Sequence, residues 1–235
     1  MPGTAPSWPD GARVLVLGAG GGGRTAAGVL ERMFAVTGVD LALGRSVAFI
    51  DDQKVGGEVN GYPVVAGLAD ARRWAGAGGA QGGQWLVAFG TTYLRERRQV
   101  FGELRAAGVA FVTAIDPSVV RDRTARVGTG AIVAAQCVLN PNSALGDNCF
   151  LCVATTVDHD TVLGDHVYCS PGVNLAGAVT VEEGAFLGTN AAVLPGVRIG
   201  AWAIVGAGAV VRDDVPPGCT VVGNPARTIR KGGRS

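Results

Sequence analysis

Only two histidines, His159 and His166, occur in the 235 residues, and His159 stands between two acids in the run Val157-Asp158-His159-Asp160. An imidazole exchanges protons near neutral pH, and a neighbouring carboxylate fixes its tautomer and favours its charged form, so His159 is a candidate general base. The competing reading is a surface histidine between two solvated acids. A second acidic pair, Asp51-Asp52, closes the apolar run Ser46 to Ile50, where carboxylates can accept hydrogen bonds from the N–H edge of a nucleobase. Upstream, Gly18-Ala19-Gly20-Gly21-Gly22-Gly23 follows the apolar run Arg13 to Leu17 and precedes a helical pattern through Thr25, Ala26, Val29, Leu30 and Met33. Glycines there let backbone amides meet a phosphate at a helix N-terminus, although a structural tight turn reads the same way. Asp51-Asp52 lies about thirty residues beyond the first glycine, not the roughly twenty of a dinucleotide-binding fingerprint.

The elements that must position these groups show in a second pattern. From Val127 to Val211 an aliphatic residue, replaced once by Cys169, recurs every six positions without an insertion. Four residues after each comes a small or β-branched one, from Ala131 to Val215. A strand alternates with period two and a helix repeats near 3.6, so a six-residue period with inward positions i and i+4 fits short strands joined by tight corners, a solenoid. Three such sides close an 18-residue triangular coil, so the 15 hexads predict five coils. At the parallel-strand spacing of about 4.8 Å these give a prism roughly 24 Å tall. Glycines directly after the aliphatic position, such as Gly128, Gly146 and Gly188, are expected at corners of positive φ. In this frame His159 points outward at i+2, and Gly177, eighteen residues on, lies one coil above it. A residue without a side chain there gives a carbonyl group room to reach a backbone amide able to hold an oxyanion. His166 falls on another side of the same coil and reads as surface or interface.

Cys137 and Cys149 occupy the small column and Cys169 the aliphatic one, so packing explains them. Cys149 and Cys152 form a single C-x-x-C with no second pair, and buried thiols are preferred over a zinc or redox site.

Before the prism, strand and helix patterns alternate. Leu68 to Trp74 reads as a helix, residues 75–83 as a glycine-rich loop and Trp85 to Phe89 as a buried strand. Tyr93 to Ala107 reads as a helix with Arg95, Glu96, Arg97 and Arg98 on a solvated face, and Phe111 to Ala114 as a fourth strand. This is a small Rossmann-like parallel sheet, too short for a complete two-lobed dinucleotide fold. The predicted organisation is a loose arm over 1–11, this domain over 12–114, the β-helix over 115–222 and a C-terminal segment over 223–235. Net charge is +1, which implies no polyanionic partner such as nucleic acid. No run of about 18 apolar residues and no basic N-terminal region before an apolar core is present, so a cytoplasmic protein without membrane contact is expected.

The hexads, the Val157-Asp158-His159-Asp160 segment and the terminal Gly223-Asn224-Pro225-Ala226-Arg227 resemble the hexapeptide-repeat sugar acyltransferases, in the branch of nucleotide-amino-sugar N-acetyltransferases and sialic acid O-acetyltransferases. The resemblance, which extends over most of the chain, implies a left-handed parallel β-helix, although general crossover preferences would favour the right hand. It also implies a homotrimer, acetyl-CoA as co-substrate and no metal. His159 matches the family's base, Asp160 the acid that follows it, and Gly177 the place near the acetyl carbonyl. Coenzyme A is implied along the coils at Gly177, Thr189 and Ala207, with Pro225, Arg227, Arg230 and Lys231 toward its phosphates, where a solvated basic tail is the alternative. Gly20, Gly21, Asp51 and Asp52 match the positions that hold the nucleotide sugar. The chain departs at Gly22, where members often carry a histidine, and at Tyr168, where some carry a second one.

A filled prism cannot hold a ligand inside, so the co-substrate must lie in a groove between adjacent prisms, which itself requires an oligomer. A γ-class carbonic anhydrase shares the prism but needs three metal-binding histidines, and two are present. The function that the resemblance implies is acetyl-CoA-dependent N-acetylation of a UDP-, GDP- or dTDP-linked amino-deoxy sugar. The alternatives are O-acetylation of a sialic-acid-type sugar and a non-catalytic trimeric nucleotide-binding scaffold, which would need neither His159 nor Gly177.

Overall fold

The computed structural model describes residues 14–37, 46–76, 83–89 and 93–231. The arm 1–11, Arg13, most of the glycine-rich loop and Gly90 lie outside them. The chain divides into two compact units, Met1–Val112 and Thr113–Ser235.

In the first unit, β1 (Val14–Leu17) is buried along its length, and the turn after it leads directly into α1 (Gly21–Thr37). β1 pairs in parallel with β2 (Val47–Ile50) on one side and β5 (Gln84–Val87) on the other. A hairpin of β3 (Glu58–Val59) and β4 (Tyr62–Ala66) extends the sheet, giving the order β3-β4-β2-β1-β5. α2 (Leu68–Gly76) and α3 (Leu94–Ala106) supply the covering helices, with Trp74, Phe101 and Leu104 in the same core as Leu15, Ile50 and Trp85. The solvated face read for α3 needs correction at one residue. Arg95, Glu96 and Arg98 are exposed, whereas Arg97 is completely buried and donates from Nε to Val87 O at 3.2 Å. Positions 97, 100, 101 and 104 form the helix's buried stripe, so Arg97 enters the core by helical geometry and its charged end caps a strand carbonyl. Phe111 to Ala114 is not a fourth strand: Phe111 makes only an isolated parallel bridge to Trp85, and Ala114 already belongs to the prism.

The second unit is a parallel β-helix whose strands form three walls. The first wall stacks Ala114–Ile115, Ile132–Val133, Phe150–Leu151, Tyr168–Cys169, Phe186–Leu187, Ile204–Val205 and Thr220–Val222, then adds the antiparallel strand Arg227–Arg230. The second wall runs from Val120–Arg121 to Val210–Val211, and the third from Arg126–Val127 to Arg198–Ile199. Both predicted inward columns are buried except Val127, which packs partly buried against the same core. The prism has one coil more than the five counted from aliphatic residues. Arg121 occupies an aliphatic place in that first coil and turns its guanidinium to Ala125 O, at 3.2 Å from Nε and 2.7 Å from Nη2.

The corners also correct the reading of the glycines. Positive φ falls three residues after the aliphatic position, at six-residue intervals from Gly130 to Gly208, with φ between 52° and 73°. The glycines one residue after the aliphatic position are needed for close stacking instead. A Cβ on Gly188 would lie 2.5 Å from Ala207 N and 2.8 Å from Gly206 C, both backbone of the coil above. Gly188→Ala is therefore expected to destabilise the prism by about 1–3 kcal/mol, the usual cost of forcing an extra carbon into packed structure. Gly102→Ala in α3, where nothing lies within 4 Å of the new carbon, should instead be neutral or stabilising by up to about 1 kcal/mol. Urea denaturation with unchanged m-values measures both, and equal losses at the two sites would contradict the stacking explanation.

Candidate functional site

His159 lies at the corner that follows strand Thr156–Val157 of the second wall, with its side chain more than half exposed. Its Nδ1 stands 2.9 Å from Asp160 Oδ2, and its backbone N–H donates to Asp158 Oδ1 at 2.8 Å. Both acids are held from the coil below: Asn140 Nδ2 donates to Asp158 Oδ1 at 2.8 Å and Asn142 Nδ2 to Asp160 Oδ1 at 3.0 Å. The hydrogen bond from His159, then that from Asn142, lowers the Asp160 pKa. The backbone hydrogen bond of His159, then Asn140, does the same for Asp158. With Asp160 ionised, Nδ1 carries the proton and Nε2 keeps the lone pair a base needs. The bond to Asp160 and the charge of Asp158 raise the His159 pKa above its ordinary 6.5.

The other edge of the ring meets Gly177. A Cβ on Gly177 would stand 2.5 Å from His159 Cε1 and in collision with Nε2, so only glycine admits the imidazole in this position. Ala178 N donates to His159 O at 2.9 Å and fixes the spacing of the two corners. From inside the prism, the Thr161 hydroxyl donates to Ala176 O at 2.7 Å and accepts from Val179 N at 3.1 Å, holding the turn on both sides of Gly177. Among the described residues, the Gly177 N–H donates to no acceptor. Thr189 and Ala207 are exposed one above the other on a different corner, joined by Gly208 N to Thr189 O at 2.8 Å. Pro225 and Arg227 are exposed where the chain turns back into its last strand, and Arg227 lines a cleft of about 290 Å³ with Arg212, Asp213 and Asp214.

His166 stands apart, with Nδ1 2.9 Å from Asn148 Nδ2. Tyr168 is buried between Phe150 and Phe186, and its hydroxyl accepts from the Cys152 thiol at 3.2 Å. Cys149 instead belongs to the prism core, so the C-x-x-C sulfurs serve separate packing roles. All five cysteines are buried thiols outside any disulfide; burial pushes the Cys137 thiol up to about 11 and raises the Cys169 thiol well above its ordinary value. These are poor nucleophiles. Among the described residues no group of three or more His, Cys, Asp or Glu is placed to hold a metal.

The first unit carries a cleft of about 340 Å³ at the C-terminal ends of β1, β2 and β5, the edge where open α/β sheets bind ligands. Gly20, Asp51 and Asp52 line it, while Gly21 is the exposed first residue of α1. Both acids also have structural partners. Asp51 accepts from Ala19 N at 2.8 Å through Oδ2 and from Gln53 N at 3.0 Å through Oδ1, tying the glycine turn to β2. Asp52 Oδ1 accepts from Leu68 N at 2.7 Å, at the N-terminus of α2, where a carboxylate is favoured. Sequence reading missed Tyr93 and Glu96, which face this cleft from the start of α3. It also missed Asn140 and Asn142, although the eighteen-residue coil places them directly beneath Asp158 and Asp160.

Comparison with known proteins bears on both units. The bacterial transferase hexapeptide (six repeats) family matches residues 178–213. The chain is 33% identical over 246 aligned residues to GDP-perosamine N-acetyltransferase of Escherichia coli O157:H7, covering 92% of this chain and 96% of that one. PerB of Caulobacter crescentus, crystallised with CoA and GDP-perosamine, is 34% identical with a TM-score of 0.79, covering 92% and 96% of the two chains. The acetyltransferase domain of PglB from Neisseria gonorrhoeae, in complex with acetyl coenzyme A, is 32% identical with a TM-score of 0.80, over 93% and 100%.

The geometry at His159 predicts its titration. The imidazole should show a midpoint above 6.5 by NMR, and Asp160→Asn, which removes the charge and the preferred acceptor, should move it downward. A midpoint unchanged by Asp160→Asn would mean that the carboxylate does not govern this imidazole.

Proposed function

Since the chain belongs to the hexapeptide-repeat acyltransferases that N-acetylate nucleotide-linked amino sugars, we propose that His159 is the base with which it transfers an acetyl group from acetyl-CoA to such a sugar's amine. The observation that carries this reading is the placement of His159, with Nδ1 on Asp160 and the rest of the ring against Gly177. Acetyl-CoA supplies an activated acyl carbon as a thioester: the amine forms the C–N bond as the C–S bond breaks, and coenzyme A leaves as its thiol, carrying away the proton that the base took up. A sugar amine must lose protons as it becomes an amide, and Nε2 is the site that takes one, with Asp160 stabilising the imidazolium formed. The Gly177 N–H, without an acceptor among the described residues and in a turn that Thr161 holds on both sides, is suited to bind the oxygen on which negative charge develops.

Thr189 and Ala207 offer an exposed track along the coils, and Pro225 and Arg227 a cationic end for phosphates. Gly20, Gly21, Asp51 and Asp52 are assigned to the nucleotide part of the substrate. Because one relative is a GDP-perosamine N-acetyltransferase and PerB was crystallised with GDP-perosamine, a GDP-linked amino sugar is the first substrate to test. The active assembly is proposed to be a homotrimer, in which the groove between neighbouring prisms takes the coenzyme. Five cysteines outside any disulfide agree with the cytoplasm. Among the described residues no helix is long and apolar enough to cross a membrane.

His159→Asn keeps the size and polarity of the side chain but removes the base. With acetyl-CoA and GDP-perosamine, kcat should fall by roughly 10²- to 10⁴-fold while both KM values stay nearly unchanged. A variant that kept more than about a tenth of wild-type kcat would remove His159 from the reaction. Light scattering should return about 71 kDa, three times the chain mass of 23.7 kDa; a monomer at micromolar concentration would end the shared-groove proposal.

A further inference from the structure

Asp160 can orient His159 only if it is itself oriented, and what holds it comes from the coil beneath. Asn142 occupies the same corner place eighteen residues earlier, and its Nδ2 donates to Asp160 Oδ1 at 3.0 Å. That leaves Oδ2 to meet His159 Nδ1 at 2.9 Å. Asn142 adopts φ 60°, a left-handed conformation that asparagine visits more readily than most residues. Its backbone N–H donates to Thr124 Oγ1 at 2.8 Å, and the Thr124 hydroxyl donates to Asp122 Oδ1 at 2.6 Å. A continuous chain of hydrogen bonds thus rises from Asp122 through Thr124, Asn142 and Asp160 to His159, across three successive coils.

We propose that Asn142 is a positioning residue of this enzyme: its carboxamide turns the Asp160 carboxylate so that the imidazole presents Nε2 at the Gly177 corner. The proposal rests on His159 being the base. A neutral donor suits the task, because it fixes one carboxylate oxygen without cancelling the charge that stabilises the imidazolium, as a lysine or arginine there would. An Asp160 free to rotate in water would share its hydrogen bonds with solvent and hold the ring only part of the time. Within the prism, the charged groups facing His159 are Asp158 and Asp160 of its own corner. The coil below presents Asn140, Pro141 and Asn142, and the coil above Ala176, Gly177 and Ala178, none of which titrates; Asp122 and Arg123 stand two coils below. A neutral change at Asn142 therefore reaches the imidazole through Asp160.

With only two histidines in the chain, the imidazole NMR signals of the full-length protein resolve His159 from His166, and the titration needs no substrate. Asn142→Gly removes the donor while keeping the positive φ free of strain, and Asn142→Asp puts a like charge against Asp160. The His159 midpoint should move down in Asn142→Gly and up in Asn142→Asp, with His166 unmoved in both. The acid limb of kcat for acetyl-CoA and GDP-perosamine should shift with it, and kcat should fall roughly ten- to a hundredfold, the usual size for partners that orient a working side chain. KM values should change little. A His159 midpoint unmoved in Asn142→Gly would overturn the proposal, whatever Asn142→Asp does through its own charge, and a lower melting temperature without that shift is what a merely structural asparagine would give. Shifted midpoints with undiminished kcat would show that the hydrogen bond is real but His159 is not the base, and the proposal would fall with that reading.

Discussion

Each coil of the prism hangs on the next by backbone hydrogen bonds between residues about eighteen apart, and every other feature of the unit depends on that vertical register. Ala178 donates to His159, Asp160 to Pro141 and His166 to Asp147, all between 2.8 and 3.0 Å. One such bond contributes only about 0.5–1.5 kcal/mol net, but repetition makes the spacing uniform, near 4.8 Å. Residues in the same place of successive coils are then forced into contact. The Phe150, Tyr168 and Phe186 rings meet in one column for this reason, as do Asn142 and Asp160, and His159 and Gly177. The candidate site needs no special loop to assemble it, since side chains on a stacked scaffold inherit its precision.

Periodicity made the prism legible, and the same frame put His159 and Gly177 in one column before any coordinates. What escaped detection were the places where a residue's type conflicts with its position. Arg121 interrupts an aliphatic column yet remains in the wall, because its long side chain reaches out to Ala125 O. Arg97 belongs to a run of charges but sits on the buried stripe of α3, where helical spacing outweighs composition. The corner conformation was assigned to the wrong glycines because two demands, left-handed φ and close stacking, both select glycine and fall two residues apart. Asn140 and Asn142 needed no new signal, only the eighteen-residue offset applied to the acids as well as to the histidine.

The acids of the first unit show a different limit. Asp51 and Asp52 accept hydrogen bonds from Ala19 and Leu68, so each helps to hold the cleft it lines. A side chain with both duties cannot be assigned by sequence to one of them, and its loss mixes stability with binding. Tyr93 and Glu96 arrive at the cleft only through the docking of α3, a tertiary relation that a local pattern does not contain.

The unbroken six-residue spacing of left-handed corners from Gly130 to Gly208 also limits how this chain can change in length over generations. Removing one residue from a wall would turn its inward side chains outward and slide every later column off its neighbour, since strand side chains alternate faces. Whole coils can be gained or lost at little topological cost, because each new coil meets the same surface that the old one presented. Drift in length is thus channelled to the ends of the prism and to the first unit. Between them, the gene is in effect read in words of six letters, and only complete sentences of eighteen can be inserted or struck out.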